Sequence, residues 1–510
     1  MAKRVNKKKK LISNIVYKII AFISIVIMLI FCMYLHKLDM LPTKYLTLIY
    51  LGIGVIYLIL TLLILPRKVK SKVKTVAAIL FVILGCVSFL GIKYSDKTIK
   101  FLGSVTKKLE QTEEYKVMVL ADSTLTKETI KDKKIGIYKN DSYDDVVKTL
   151  KQDVKKTLDI VDPPYDDVVK MFDDLQSGKI DAVLINGTIE ALLETDEFKA
   201  MDLNLKEIFS IQVPVKGDTK EIVKVVDVTN TPFNIYIAGG DAYGSINKVM
   251  NTDVNMVVSI DVKNHKILLT SIPRDYYVVL PSKGENAYDK LTHAGYYGVG
   301  ESIKAIENLL GIEINYYAKV NFSTIEKVVD AIGGIDIYND RYVITNDRTQ
   351  TYQKGNIHLN GKRALWYARE RSAYSDGDVH RVKNQQIVLD AIIKKMSSSK
   401  TLLANYTDIL GAISKNFSTN LDENSIRKIV KYQADHMTGW TIESQNLVGY
   451  DAMGSCYSMP KYNLYIMKQN PESVKTSSDK IKAFLNREED KKEEAKEEVP
   501  ANNTDNKKTN

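Results

Sequence analysis

Arg369, Arg371 and Arg381 fall in one short stretch, ALWYARERSAYSDGDVHRVKNQQ (364–386), together with the carboxylates Asp376 and Asp378. A guanidinium stays charged at any physiological pH, and its planar fork matches the oxygens of a phosphate or a carboxylate. Such a cluster needs an anion, either internal, as ordinary ion pairs, or external, as a phosphate ligand. If ARER (368–371) runs extended, Arg369 and Arg371 share one face, and a shared anion relieves their repulsion. Asp378 is placed to cap a long helix from 378 to about 396, whose apolar positions Val382, Leu389, Ile392, Ile393 and Met396 fit one face. On that helix Arg381 and Gln385 are i,i+4 neighbours, near a helix end that favours anions, while Gln386 points elsewhere. A capped amphipathic helix accounts for Asp378 but not for Arg381 with Gln385.

Three further segments carry chemistry. In GGDAYGSINKVMNTDVN (239–255) a strand ends in Gly-Gly, where backbone can come close to a ligand. Asp241 follows at once, and Asp253 opens the next strand. If the loop folds back, two carboxylates meet at one sheet edge and, with phosphate oxygens and water, form a hard oxygen site suited to Mg²⁺ or Mn²⁺; otherwise Asp241 turns the chain and Asp253 starts a strand. SIPRDYYV (271–278) puts Arg274 and Asp275 just past a strand, where α/β sheets bind ligands. The alternative there is a surface ion pair, which is worth little. In KLTHAGYYG (290–298) Lys290 is in reach of a phosphate, whereas His293 has no evident triad partner and reads as structural. Zinc-ligand spacings and a GxSxG elbow are absent.

The elements that must position these residues begin with a membrane anchor. The chain has 510 residues, room for two or three domains. Its net charge of +10 is concentrated, with six Lys/Arg in residues 1–10 and five between Arg67 and Lys74. Apolar runs at 11–35, 45–65 and 75–93 are each long enough to cross a ~30 Å hydrocarbon core. The basic N-terminus (1–10) and the basic loop 66–74 predict a cytoplasmic location for both, and everything after about residue 95 then lies outside the cytoplasm. The basic balance is therefore topological, and no specific nucleic-acid partner is expected. Three cysteines, with Cys456 alone in the outer part, allow no disulfide framework there.

Beyond a short polar connector (96–110), residues 111–222 predict a small α/β accessory domain, with strands at 115–120, 133–138 and 180–186 and a helix at 142–156. The charged stretch 215–222 marks its end. A second α/β domain spans 231–485, with strands at 233–240, 255–261 and 265–272 and helices at 300–311 and 322–334, the latter closed by Gly333-Gly334. Residues 487–510 are charged and lack aromatics, which predicts disorder.

The four chemical segments, in this order, resemble the LytR–CpsA–Psr family of Gram-positive bacteria. The resemblance runs from about Phe233 to Lys395 and rests on IPRDYYV, NFSTIEKVVDAIGGIDIY, LNGKRALWYARER and the DxxRxxxQQ stretch beginning at Asp378. The three spans and the small preceding domain resemble its capsule-associated branch. The resemblance implies an α/β main domain with a central mixed sheet flanked by helices. It also implies a phosphotransferase that moves a capsular polysaccharide, teichoic acid or similar glycopolymer from a polyprenyl pyrophosphate carrier onto peptidoglycan at the membrane, with capsule or wall assembly proteins as further candidate partners. Carried over by motif, Asp241 and Asp253 hold Mg²⁺ or Mn²⁺, and Arg274, Lys290, Arg369, Arg371, Arg381 and Gln385 bind the pyrophosphate. Asp378 either orients an arginine or acts as base. Leu309, Leu310, Ile325, Val328, Val329 and Ile332 line an apolar slot for the lipid or form plain core. Two departures stand out: Asn251 where the family usually has Arg, and Asn384 where Arg is common. Two rival readings are a non-catalytic lipid- or wall-binding scaffold and a transcriptional attenuator.

Overall fold

The computed structural model describes residues 2–66, 68–106, 112–140, 142–155, 157–193, 198, 201–214, 224–240, 251–375, 377–396, 409, 411–412, 417–436 and 438–487. The chain divides into two compact units, one holding residues 1–106 with 406–414 and 421–438, the other holding the rest.

In the first unit, three helices are long and apolar enough to cross a membrane: α1 (Ala2–Leu38, apolar from Ile12), α2 (Thr43–Ile64) and α3 (Ser71–Val105). The third continues well past the expected apolar run, so the connector expected at 96–110 is helical through Val105. The reason is legible in its spacing: Ser95, Thr98, Leu102 and Val105 repeat at three to four residues and are all buried. Phe81 packs edge-on against Tyr57, and Ser24 donates to the Phe81 carbonyl at 2.7 Å, which satisfies a polar group inside the bundle.

The second unit carries two sheets. The first has strand order β3-β2-β4-β1-β5, from β1 (Thr112–Leu120), β2 (Lys134–Ile137), β3 (Asp159–Ile160), β4 (Ala182–Asn186) and β5 (Leu205–Pro214). Helices α4 (Tyr143–Val154), α5 (Val168–Gln176) and α6 (Gly187–Leu192) belong to this domain. Strand β4 is buried at every position, as a central strand covered on both faces must be. The expected boundary at 215–222 lies outside the described residues.

The larger sheet runs β16-β11-β6-β7-β8-β17, from β6 (Phe233–Gly240), β7 (Thr252–Asp261), β8 (Lys266–Ile272), β11 (Tyr316–Asn321), β16 (Phe417–Thr419) and β17 (Thr441–Asn446). It is mixed: β11 is parallel to β6 and β17 to β8, while β6–β7–β8 is an antiparallel meander. Hairpin strands β9 (Tyr277–Val279) and β10 (Tyr288–Lys290) follow β8, and β12 (Ile335–Asn339), β13 (Val343–Ile344), β14 (Thr351–Tyr352) and β15 (Gly355–Leu359) pair outside it. A last hairpin, β18 (Gly449–Cys456) and β19 (Met459–Gln469), is separate again.

Helices cover both faces. On one, α7 (Leu291–Ala294), α8 (Val299–Leu310) and the C-terminal Pro471–Leu485 helix bury Leu291, Ile303, Ile306 and Ile481 against Tyr236, Val257 and Leu268. Leu310 belongs to that core, and on the following helix α9 (Phe322–Ala331) Val329 and the adjoining Ile332 are fully buried. These three side chains are therefore core rather than an open lipid slot. Helices α10 (Gly361–Arg369) and α11 (Asp378–Met396) come next. On the opposite face, Leu389 and Ile393 of α11 pack with Met256, Val258, Ile267 and Leu269. Two further helices are α12 (Glu423–His436), in the first unit, and α13 (Pro471–Leu485). Arg487, expected in a disordered tail, instead grips Asp261 with two bonds of 2.6 and 2.8 Å. The fork of an arginine on a buried carboxylate is reason enough to order that residue. The rest of the expected tail, 488–510, lies outside the described residues.

Candidate functional site

Antiparallel register builds the core of the site. Asn255 of β7 lies opposite Ile272 of β8, so two residues further along, Asp253 meets Arg274. Arg274 Nη1 donates to Asp253 Oδ1 at 2.8 Å, its Nε lies 3.4 Å from Asp275 Oδ2, and Lys290 Nζ lies 3.1 Å from Asp275 Oδ1. The result is an alternating chain of two carboxylates and two cations. Asp253, Asp275 and Lys290 keep 11%, 14% and 14% of their side-chain surface and Arg274 24%, so the chain is half-enclosed yet reachable. Burial raises the Asp275 pKa, but Lys290 and Arg274 outweigh it and hold the carboxyl below its usual range.

The chain sits where β6, β8, β11 and β17 all end. Gly240 of β6 pairs with Thr252, and Asn321 of β11 pairs with Gly240. The carboxyl ends of parallel strands form the ligand-binding edge of α/β sheets. Asp241 and the loop through 250 lie outside the described residues. Asn251 is described: its side-chain oxygen is buried and accepts no hydrogen bond there.

Helix α11 reaches the same edge. Gln386 is buried and donates from Nε2 to Ser271 Oγ (2.9 Å), Gln445 O (2.9 Å) and Asn446 Oδ1 (2.6 Å), at the ends of β8 and β17. Arg381, 6% exposed, and the half-buried Gln385 lie within two turns of it. Asp378 is the first helical residue rather than the cap before it, since the Arg381 N–H donates to the Gly377 carbonyl. Its side chain lies outside the described residues.

The ARER segment is not extended. Arg369 is the last residue of α10, with its guanidinium 5.8 Å from the Trp366 ring centre, and Arg371 is exposed in the following turn. Glu370 between them is spent on backbone: it accepts from Asn346 N at 3.2 Å and Ala373 N at 2.9 Å. That use of the carboxylate fixes the turn and separates the two arginines. Asn384 is fully buried and donates to Tyr367 O and Tyr374 Oη at 3.1 and 3.2 Å. It ties α11 to α10 rather than offering a charge.

His293 has a partner that sequence reasoning missed. Its Nδ1 lies 2.7 Å from Asp289 Oδ1 and 3.1 Å from Ser458 Oγ, and Asp289 Oδ2 accepts from Ser458 N at 2.8 Å. Both partners meet the same ring nitrogen, whereas a nucleophile triad uses the two nitrogens separately. The group, with the buried Cys456 beside it, therefore holds the 449–469 hairpin against the segment that carries Lys290. Asp289, four residues before His293, was a legible signal by its nearness in sequence; Ser458 was not.

Residues 199–476 match the family model described as LytR_cpsA_psr family. A Bacillus anthracis (strain CDC 684 / NRRL 3495) protein named polyisoprenyl-teichoic acid–peptidoglycan teichoic acid transferase TagU is 34% identical over 260 residues, 51% of this chain and 82% of that protein. An Enterococcus faecalis protein of the same name is 32% identical over 201 residues, 39% of this chain and 64% of that one. The crystal structure of Bacillus subtilis TagV is 27% identical with a TM-score of 0.43, covering 51% of this chain and 98% of that chain. With more than half its length matched by the model and a relative at 34% identity covered over four-fifths of its length, this chain belongs to the LytR_cpsA_psr family.

Proposed function

We propose that this protein is a membrane-anchored phosphotransferase that moves a glycopolymer from a polyprenyl pyrophosphate carrier to a peptidoglycan hydroxyl. The observation that carries the reading is the Asp253–Arg274–Asp275–Lys290 chain at the carboxyl ends of the sheet. The names of the relatives support the same class of transfer. In this reaction an acceptor oxygen forms a bond to the phosphorus that carries the glycopolymer. The bridging P–O bond breaks, lipid phosphate leaves, and the acceptor proton passes to a base. Charge builds on the phosphoryl and leaving oxygens, and prepositioned cations lower that cost most where water is excluded.

Arg274, Lys290, Arg369, Arg371 and Arg381, with Gln385, are assigned to the pyrophosphate. Arg381, 6% exposed, is weakly screened by solvent. Asp378 is assigned either to orienting an arginine or to taking the proton. The donor set fits a hard divalent ion: the Asp253 carboxylate, partly open at the sheet edge, and Asp241 would offer oxygens, with no nitrogen or sulfur among them. Mg²⁺ or Mn²⁺ held there supplies charge neutralisation on phosphoryl oxygens. The basic residues before Ile12 and in the 66–74 loop support a cytoplasmic side for those segments and an outer side for the transfer site.

The test is transfer itself. The full chain, in lipid, is given lipid-linked glycopolymer, peptidoglycan oligomers and Mg²⁺, and covalent product is followed by mass spectrometry. Arg381→Ala and Asp253→Ala should each lower the rate by roughly 10²–10³-fold with the fold intact. Full activity in both variants would sink the reading.

A further inference from the structure

Within the second unit, a cavity of about 690 Å³ lies between the five-stranded domain and the main domain. That is within the ~300–1,000 Å³ range of small-ligand sites. We infer that this cleft binds an uncharged saccharide chain.

Three features of the lining point there. It is rich in tyrosine: Tyr115, Tyr138, Tyr296, Tyr297 and Tyr457 all contribute. Tyr297 and Tyr457 stand edge to face with ring centres 6.4 Å apart, and Tyr457 keeps 37% of its surface. A tyrosine offers an apolar face and a polar tip, which is what a pyranose needs, since its C–H face packs on a ring while its rim hydroxyls exchange hydrogen bonds. The floor is a preorganised polar network. Asn140 Nδ2 donates to Tyr115 Oη (3.0 Å), Tyr115 Oη donates to Glu113 Oε2 (2.9 Å), and Asn186 Nδ2 donates to Glu113 Oε1 (2.8 Å). Each side-chain amide carries two N–H donors, and the bonds given use one of each. Finally, the wall charges come close to balance, four lysines against four carboxylates, of which Glu113 is partly protonated near neutral pH. A phosphate polymer, with a negative charge at each repeat, gains little net attraction from such a wall, and a lipid tail finds too many polar groups.

The position gives the cleft a use, and that use rests on the transferase reading. Tyr296 lines the cleft. A methyl added to Gly187 would sit 2.9 Å from its ring, so the two domains meet closely here. On its other side Tyr296 lies beside His293, ring centres 6.1 Å apart, and burial together with the Glu113 and Asp253 carboxylates pushes its phenol pKa well up. A saccharide in the cleft lies against the ring whose phenol feels the Asp253 carboxylate, and is assigned as one sugar partner of the transfer.

The experiment uses the full chain in detergent micelles, titrated calorimetrically with an N-acetylglucosamine tetramer and, separately, with poly(glycerol phosphate). The tetramer should bind, weaken about tenfold or more in Tyr457→Ala, and bind Arg381→Ala as it binds the parent. Tyr297→Ala is the second cleft variant. The inference is overturned if the tetramer does not bind, if both tyrosine variants bind it unchanged, if only poly(glycerol phosphate) binds, or if Arg381→Ala abolishes tetramer binding. Transfer without tetramer binding removes the cleft assignment alone; tetramer binding without transfer removes the transferase reading and leaves the cleft.

Discussion

At Glu113 a carboxyl is 7% exposed and takes its hydrogen bonds from Tyr115 and Asn186. Burial pushes its pKa up to about 7, and the two donors only partly offset that. Because the folded value lies above the unfolded one, the contribution to stability is full below about pH 4.3 and is lost as pH rises through 7. The loss amounts to about 3 kcal/mol above neutrality. Glu113→Gln keeps the shape, so it should raise the melting temperature at pH 8 and leave it nearly unchanged at pH 4; equal effects at both would refute the cause. Asn251 invites the converse change. Asn251→Arg returns a cation to the edge beside Asp253 and should lower the KM for lipid-linked donor by about tenfold, as a charge-assisted hydrogen bond allows; an unchanged KM would mean the other cations already suffice. At this scale the sequence was informative where partners are close in register. Asp253 is in β7 and Arg274 lies two residues past the end of the neighbouring antiparallel β8, so register brings them together. The Asp289–His293–Ser458 group was only half visible, because Ser458 arrives from 165 residues away.

Helix α11 shows how one element serves both core and site. The expected span, 378–396, is the observed one, because apolar spacing and a clear start both pointed to it. Its inner face packs through Leu389 and Ile393, and Gln386 pins it to the ends of β8 and β17. Gln386→Ala should cost about 1–3 kcal/mol, read by chemical unfolding, since it leaves buried acceptors unmatched. It should also reduce transfer by displacing Arg381; a stability loss with transfer untouched would separate the two roles. The ARER segment was misjudged at this scale. Periodicity from Gly361 carries the helix through Arg369, and the backbone bonds of Glu370 then turn the chain. No local pattern announces that a glutamate will serve backbone rather than a neighbouring arginine.

For the whole molecule, the 449–469 hairpin is the part that sequence order hides. Met459 and Tyr462 join Phe172, Ile185 and Phe198 in the core of the five-stranded domain, and Tyr462 Oη accepts from Val169 N at 3.2 Å. That domain is thus completed by residues some 250 positions downstream. Tyr462→Ala should destabilise it by roughly 3–5 kcal/mol, seen as earlier loss of hydrogen-exchange protection in β4 than in β7. Residues 111–222 made alone should expose the same apolar face and fail to give a cooperative unfolding transition; a sharp transition would show that the hairpin is dispensable. The hairpin also carries Cys456, 1% exposed, whose thiol pKa is pushed up by burial and by the Asp289 carboxylate. A sulfur kept protonated and away from water is neither nucleophile nor disulfide partner. With Cys32 and Cys86 replaced by serine, a water-soluble maleimide would therefore label the chain only when the hairpin lifts, and the labelling rate becomes a clock for the opening of the two domains.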